Sequence, residues 1–338
     1  MPPSVATGPH GAQATHSPRA YRDSMAISAP RLSRVPVWMW RALMARLAPG
    51  ELRRFSAQPI EAVNYTMDID YVGAGMPQQR LDVIAPRDIS VPLPVYIYFH
   101  GGGWTSGDKA ALTRYCASQA LAGMVVVNVN YRMAPRFHMH HMLSDATAVA
   151  AWVVANIADF GGDPHAVVVG GDSAGGQIAA LLAATSSQPE LAAHYGLEPA
   201  LATSAVRGVV QHCSIVDFSV IFERGFILSL GFVKMLLPRL GKGESLHEAA
   251  RFLSPIEWVG AAFPPVLVTT SRKDFFYRAN LNFIDALTRH GVAVDSLIDD
   301  EAPHTWQQDS RHPGSSAVYS RLQRFVHSVG RSPQIAPA

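Results

Sequence analysis

Cysteine is nearly missing from this chain: Cys116 and Cys213 are the only two in 338 residues. Each sits inside an apolar run, so they read as buried free thiols rather than a disulfide or a metal pair. Charge is scarce as well. Charged residues make up 16% of the chain and the formal net charge is +2, too small to imply a nucleic-acid partner. No apolar run reaches about 18 residues, so no transmembrane segment is expected. The amino terminus lacks the charged start, apolar middle and small-residue cleavage site of a secretory signal. With free thiols and no export signal, the expected location is cytoplasmic. What the chain has in quantity is apolar side chain, 48% of residues, ample for the core of one large α/β domain with an appendage or of two small domains.

Residues 1–34 are rich in Pro, Ala, Ser and Arg, with Asp23 as the only acid, and read first as a disordered tail and second as an organelle transit peptide. The next stretch, Val35 to Leu47, ends at Pro49-Gly50 and reads as an amphipathic helix with Arg41 and Arg46 on its polar side. Packing onto its own protein is the first reading of that helix, and contact with a membrane surface the second. From Tyr65 onward β-like and helical runs alternate. Candidate strands are Thr66–Tyr71, Arg80–Ile84, Val95–His100, Val125–Val129, Ala166–Gly170, Gly208–His212, Pro265–Thr270 and Ala293–Ile298. The first two alternate in polarity around Gly73 and Gly75, as a hairpin does. The later ones are continuous apolar runs, suited to strands buried on both faces. Helical segments fall near 108–122, 142–158, 174–186, 278–290 and 315–329. The order predicts an α/β fold, a mostly parallel eight-stranded sheet flanked by helices, with chemistry at the carboxyl ends of the strands.

One stretch breaks the alternation. Between Ile215 and Trp258 bulky apolar residues such as Phe218, Phe226, Phe232 and Leu236 follow one another without a strand. This predicts a helical insertion over the strand ends, forming a lid with the 35–47 helix. The expected organisation is therefore a tail (1–34), amino-terminal cap helices (35–64), a core (65–214 and 259–330) and a helical cap insertion (215–258).

Two strand ends carry the chemistry. Ala166-Val167-Val168-Val169-Gly170 runs into Gly171-Asp172-Ser173-Ala174-Gly175, followed by a helix-like run: G-x-S-x-G in strand–turn–helix context, which lifts a serine hydroxyl out of a sheet as a nucleophile. Upstream, Val95–Phe99 ends in His100-Gly101-Gly102-Gly103-Trp104, a Gly-rich turn that suits a hole of backbone N–H groups for an oxyanion. A serine nucleophile needs a base and an acid to orient it. Asp274 follows a late strand, and His304 follows the last one. His290 closes a helix, His312 sits near the start of another, Asp285 is mid-helix, and Asp299, Asp300 and Glu301 crowd His304 as loop acids. The run His138, His140 and His141 has only Asp145 near metal-ligand spacing and reads as a solvent-facing loop.

These motifs, with Asn130-Tyr131-Arg132-Met133-Ala134-Pro135 and Ser254-Pro255, resemble the hormone-sensitive-lipase-like branch of the α/β-hydrolases over roughly residues 35–330. The resemblance implies an α/β-hydrolase fold with a helical cap. It implies Ser173 as nucleophile, Asp274 as acid and His304 as base, with oxyanion donors at Gly101, Gly102 and Ala174, and His100 as a buttress of its loop. Departures stand at Arg136, at Phe137 to Met142, at Arg278 and at Thr305-Trp306, which bear on the pocket wall. The implied activity is a serine carboxylesterase working through an acyl-enzyme on short- to medium-chain or bulky apolar esters, with a small-molecule ester as partner. Trp38, Trp40, Trp104, Phe226, Phe232 and Trp306 are the candidate pocket residues. Neither a metal nor an organic cofactor is implied, and a homodimer is compatible with the reading. The same machinery serves an amide, formamide or lactone, and the family also includes a non-catalytic hormone receptor.

Overall fold

The run Val95–Phe99 has no polar alternation because neither of its faces meets water: all five residues are fully buried. It forms the end of β3 (Leu93–Phe99), flanked on one side by β4 (Val125–Val129) and on the other by β5 (Gly162–Asp172). The computed structural model describes residues 35–56, 59–201, 205–237, 240 and 243–330. The tail expected at residues 1–34 lies outside the described residues. Around β3 the sheet is completed by β1 (Val63–Asp70), β2 (Arg80–Pro86), β6 (Val206–His212), β7 (Val266–Ser271) and β8 (Val294–Asp299). The order is β1-β2-β4-β3-β5-β6-β7-β8. β1 and β2 form the expected antiparallel hairpin, β2 meets β4 antiparallel, and the remaining pairs are parallel.

Two strands differ most from the expectation. β5 starts four residues early, at Gly162, because Leu93 pairs with it before the register shifts and Val95 meets Val167. β8 is not buried on both faces. It has a neighbour on one side only, so Ser296 and Ile298 are exposed and Arg321 crosses its face to the Ser296 carbonyl.

The helix Ala174–Thr185 leaves the end of β5 and is buried at every residue, which is why it is built of Ala, Gly, Ile and Leu apart from Gln177 and Thr185, whose side chains are hydrogen-bonded inside. Helix Met139–Asn156 packs beside it. Together with its 3-10 extension to Phe160 this is the one described helix long and apolar enough to cross a membrane by composition, and its buried face, Met142 to Val153, faces the core. It begins at Met139, so the histidine run is a helix start and not a solvent-facing loop. His138 N–H donates to His141 Nδ1 (3.2 Å), and His140 Nδ1 lies 2.8 Å from the Tyr195 carbonyl. Asp145 is taken by Arg132 (2.7 Å) and Gln79 (2.7 Å), so it offers no ligand to that run.

The stretch from Ile215 to Trp258 is broken into short pieces; its longest described helix is Gly231–Leu236. It meets the amino-terminal helix Val37–Ser56 through a bridge between Val35 and Leu228. Trp40 stands edge-on to Phe232 at 6.2 Å, and Phe232 in turn packs on Trp104 at 6.3 Å.

Candidate active site

Gly171 and Gly175 shape the turn after β5 by close approach. A Cβ on Gly175 would come within 2.0 Å of the Phe99 carbonyl oxygen, and one on Gly171 within 2.3 Å of the same atom. Because β5 and β3 are adjacent, any side chain there would force them apart. Between these glycines Ser173 adopts φ 49° and ψ −115°, a conformation a residue with a Cβ occupies only under constraint. The constraint is visible: the Ser173 N–H donates to the His212 carbonyl (2.9 Å), and the Ser173 carbonyl accepts from Gln177 in the helix that follows.

Asp274 follows β7 and is fully buried at its side chain; its Oδ1 accepts the Phe276 N–H at 2.7 Å. Its Oδ2 faces His304 Nδ1 at 2.5 Å. His304 hangs on the loop after β8, which Asp299 organises by accepting the N–H groups of Glu301 and Ala302 (2.8 and 2.7 Å). Asp300 and Glu301 pair outward with Arg272 and Lys273. The imidazole rests on Phe275, 4.4 Å between ring centres, which leaves its Nε2 edge for the cleft. His290 is exposed at its helix end and Asp285 pairs with Arg289, both away from this group.

Ser173 and His304 line one cleft of about 320 Å³, together with the turn 100–103, Asp172, Trp40, Met44, Leu112, Trp306 and His312. The placement of the expected pocket residues therefore divides. Trp40 and Trp306 line the cleft. Trp38 does not, and is 71% exposed. Trp104 and Phe232 are buried in the core, with Trp104 Nε1 donating to Gln177 (2.8 Å), and Phe226 stacks on Phe276. Size and apolarity alone do not say which way a side chain turns: Phe232 lies on a six-residue helix, Trp104 and Phe226 lie in irregular segments, and Trp38 is on an open side of the amino-terminal helix.

The Gly-rich turn after β3 departs from the expectation at Gly101. The Gly101 N–H donates to Asp172 Oδ1 at 2.9 Å, so it is already committed and unable to serve as a donor to a ligand. The amides left to face the cleft in that turn belong to Gly102 and Gly103, both at positive φ (115° and 59°). At the start of the next helix the Ala174 N–H has no intrahelical acceptor, as for every first-turn amide. His100 is buried, stacked on Tyr131 at 4.5 Å, with Nδ1 2.7 Å from the Gly101 carbonyl. Its place is behind the turn.

Asp172 is the residue that sequence reasoning missed. Burial pushes its carboxyl up to about 6, and hydrogen bonds from the Tyr98 hydroxyl (2.9 Å) and the Gly101 amide oppose that shift. The signal was present: a carboxylate ending an otherwise apolar strand must find partners inside. Beneath the Asp–His pair lies Cys213, whose sulfur falls within 4.8 Å of the facing atoms of Asp274 and His304, the only such donor cluster among the described residues. The Gln307 amide donates to that sulfur (3.4 Å), and burial pushes the thiol well up, so it is held as neutral SH.

Residues 96–308 match a family model described as the alpha/beta hydrolase fold. Among curated proteins, the esterase LipQ of Mycobacterium tuberculosis is 32% identical over 231 residues, covering 67% of this chain and 51% of that protein. The carboxylesterase NlhH of the same organism is 34% identical over 158 residues, 45% of this chain and 48% of that one. The chain thus spans about half the length of the curated relatives it matches first. Among solved structures, esterase B of Lactobacillus rhamnosis superposes with a TM-score of 0.76 at 22% identity, over 86% of this chain and 94% of that one, which speaks for the fold alone.

Proposed function

The chain belongs to the α/β-hydrolase family, in its hormone-sensitive-lipase-like branch, and from that premise we propose that it is a serine carboxylester hydrolase. The observation that carries the reading is the strained Ser173 sharing a cleft with His304, whose far nitrogen sits 2.5 Å from the buried Asp274 carboxylate. Ser173 Oγ attacks the ester carbonyl while His304 Nε2 takes its proton. Asp274 accepts from Nδ1–H, which fixes the tautomer that leaves Nε2 basic and stabilises the imidazolium that forms. The tetrahedral oxyanion is received by the Gly102, Gly103 and Ala174 amides, fixed dipoles that need no reorganisation when charge develops. Collapse expels the alcohol, protonated by His304, and water repeats the cycle on the acyl-enzyme.

A cleft of about 320 Å³ walled by Trp40, Met44, Leu112 and Trp306 suits a short- to medium-chain acyl group, at the small end of ligand pockets. Residues 35–64 and 215–258 act together as its cap, the first supplying the wall and the second supporting that wall through Phe232. The test is a p-nitrophenyl ester series run on wild type and Ser173→Ala. The reading expects the rate to fall at least about a thousandfold in the variant and to peak at short or medium chains. Undiminished turnover in Ser173→Ala would overturn it.

A further inference from the structure

The helix Val37–Ser56 does two things at once. Trp40 and Met44 turn inward and wall the cleft. Met39, Leu43 and Leu47, spaced by four, form a stripe that is 41%, 48% and 45% exposed, and Trp38, 71% exposed, stands on another open side of the same helix. Singly exposed apolar residues are ordinary, but a contiguous stripe on a helix at the mouth of a cleft marks a contact surface.

Charge says what that surface meets. Arg46 adjoins the stripe, Arg41 stands on the side of Trp38, both are exposed, and the helix has a single acid, Glu51, in its sequence. Arg19, Arg22, Arg31, Arg34, Arg41 and Arg46 against Asp23 alone fall within residues 1–47. The whole chain has 28 basic and 26 acidic residues, so everything beyond residue 47 is net acidic. An open helix surface that carries Trp38, two arginines and an apolar stripe, on a net-acidic body, complements an anionic lipid surface and not another copy of the same basic face. We propose that this helix seats the protein on an anionic lipid surface, with the cleft mouth beside the lipid. Delivery of a lipid-borne ester to Ser173 rests on the esterase reading above; the seating does not.

The test is cosedimentation of the full chain with vesicles of phosphatidylcholine alone or with about one third phosphatidylglycerol, at low and high salt. The proposal expects binding at least about fivefold greater on the anionic vesicles, weakened by salt. Met39→Ser/Leu43→Ser/Leu47→Ser should lose most of it while keeping its circular dichroism and its rate on a water-soluble ester. Arg41→Gln/Arg46→Gln, which leaves the apolar stripe intact, should lose the preference for anionic lipid. Three results would overturn the proposal: no binding, equal binding to both vesicle types, or a wild-type dimer in sedimentation velocity that the triple-serine variant abolishes. Because binding is read without turnover, its failure is separable from failure of the esterase reading.

Discussion

The Gly101 amide donates to the Asp172 carboxylate across 2.9 Å, so the residue preceding the serine holds the turn that faces it. The same oxygen accepts the Tyr98 hydroxyl at 2.9 Å. The link spans two strand ends, β3 and β5, and sets where the Gly102 and Gly103 amides point. A misplaced donor costs far more in rate than in binding, since it acts on charge that develops only in the transition state. Asp172→Ala should therefore lower kcat by about a hundredfold with little change in KM, and Asp172→Asn, which keeps an acceptor oxygen, should lose much less. Steady-state kinetics on one ester decides it. A change confined to KM would refute the positioning role.

The same carboxyl makes a stability prediction with a definite sign. Its value is raised by burial from 3.8 to about 6, so the folded state holds this proton more tightly than the unfolded chain. The stabilisation is fully present below pH about 4 and is lost as pH rises through 6, an effect on the order of 3 kcal/mol. Urea unfolding of wild type and Asp172→Asn at pH 4 and pH 7 should show wild type losing ground to the variant as pH rises. Parallel curves would contradict it.

His212 pulls the other way. It lies fully buried between the Tyr115 hydroxyl (2.9 Å) and Thr269 Oγ1 (2.6 Å), and burial pushes its value down to about 3. A depressed histidine stabilises the fold above the unfolded value near 6.5, and that stabilisation is lost as pH falls from 6.5 towards 3. The full effect is on the order of 5 kcal/mol. His212→Gln should start less stable at pH 7, having a poorer fit, yet lose less on acidification to pH 4. The readout is the difference in urea midpoint between the two proteins at each pH.

Asp274→Asn tests the orienting bond directly. An amide NH₂ presented to Nδ1 selects the tautomer that leaves Nε2 protonated, so His304 no longer accepts from Ser173. The expected fall in kcat is about 10⁴-fold, with the fold unchanged because the side chain keeps its volume. Loss of less than about tenfold would remove Asp274 from the mechanism.

How much of this was legible in the sequence depends on whether a feature is carried by neighbours along the chain or by residues brought together across it. The strand ends bearing Ser173, Asp274 and His304 were readable because an apolar run, a turn and a helix stand in sequence around each. The turn was expected to offer the Gly101 and Gly102 amides, and that of Gly101 is taken by Asp172. Nothing local says that Asp172 reaches back across 71 residues to occupy the Gly101 amide. The pocket wall was read from size and apolarity, which do not separate Trp40, lining the cleft, from Phe232 behind it. The histidine run was weighed only as a metal cluster against a loop; histidines are uncommon at a helix start, and here the His141 ring accepts the His138 N–H there.

Trp40 and Phe232 touch, at 6.2 Å between ring centres, yet they should respond differently to truncation. Phe232 is fully buried among Trp104, Trp40 and the short cap helices, so Phe232→Ala leaves a cavity and should cost about 3–5 kcal/mol in unfolding free energy. Trp40 is a wall of the cleft whose indole N–H finds no hydrogen-bond partner among the described residues, so little polar bonding is lost with it. Trp40→Ala should open the cleft and move the preferred p-nitrophenyl ester to longer acyl chains, at a smaller cost in stability. Trp40→Phe removes the unpartnered N–H while keeping a ring, and should retain both the stability and the short-chain preference of wild type. If Phe232→Ala moved the chain-length optimum and Trp40→Ala did not, the wall and its support would have to be exchanged.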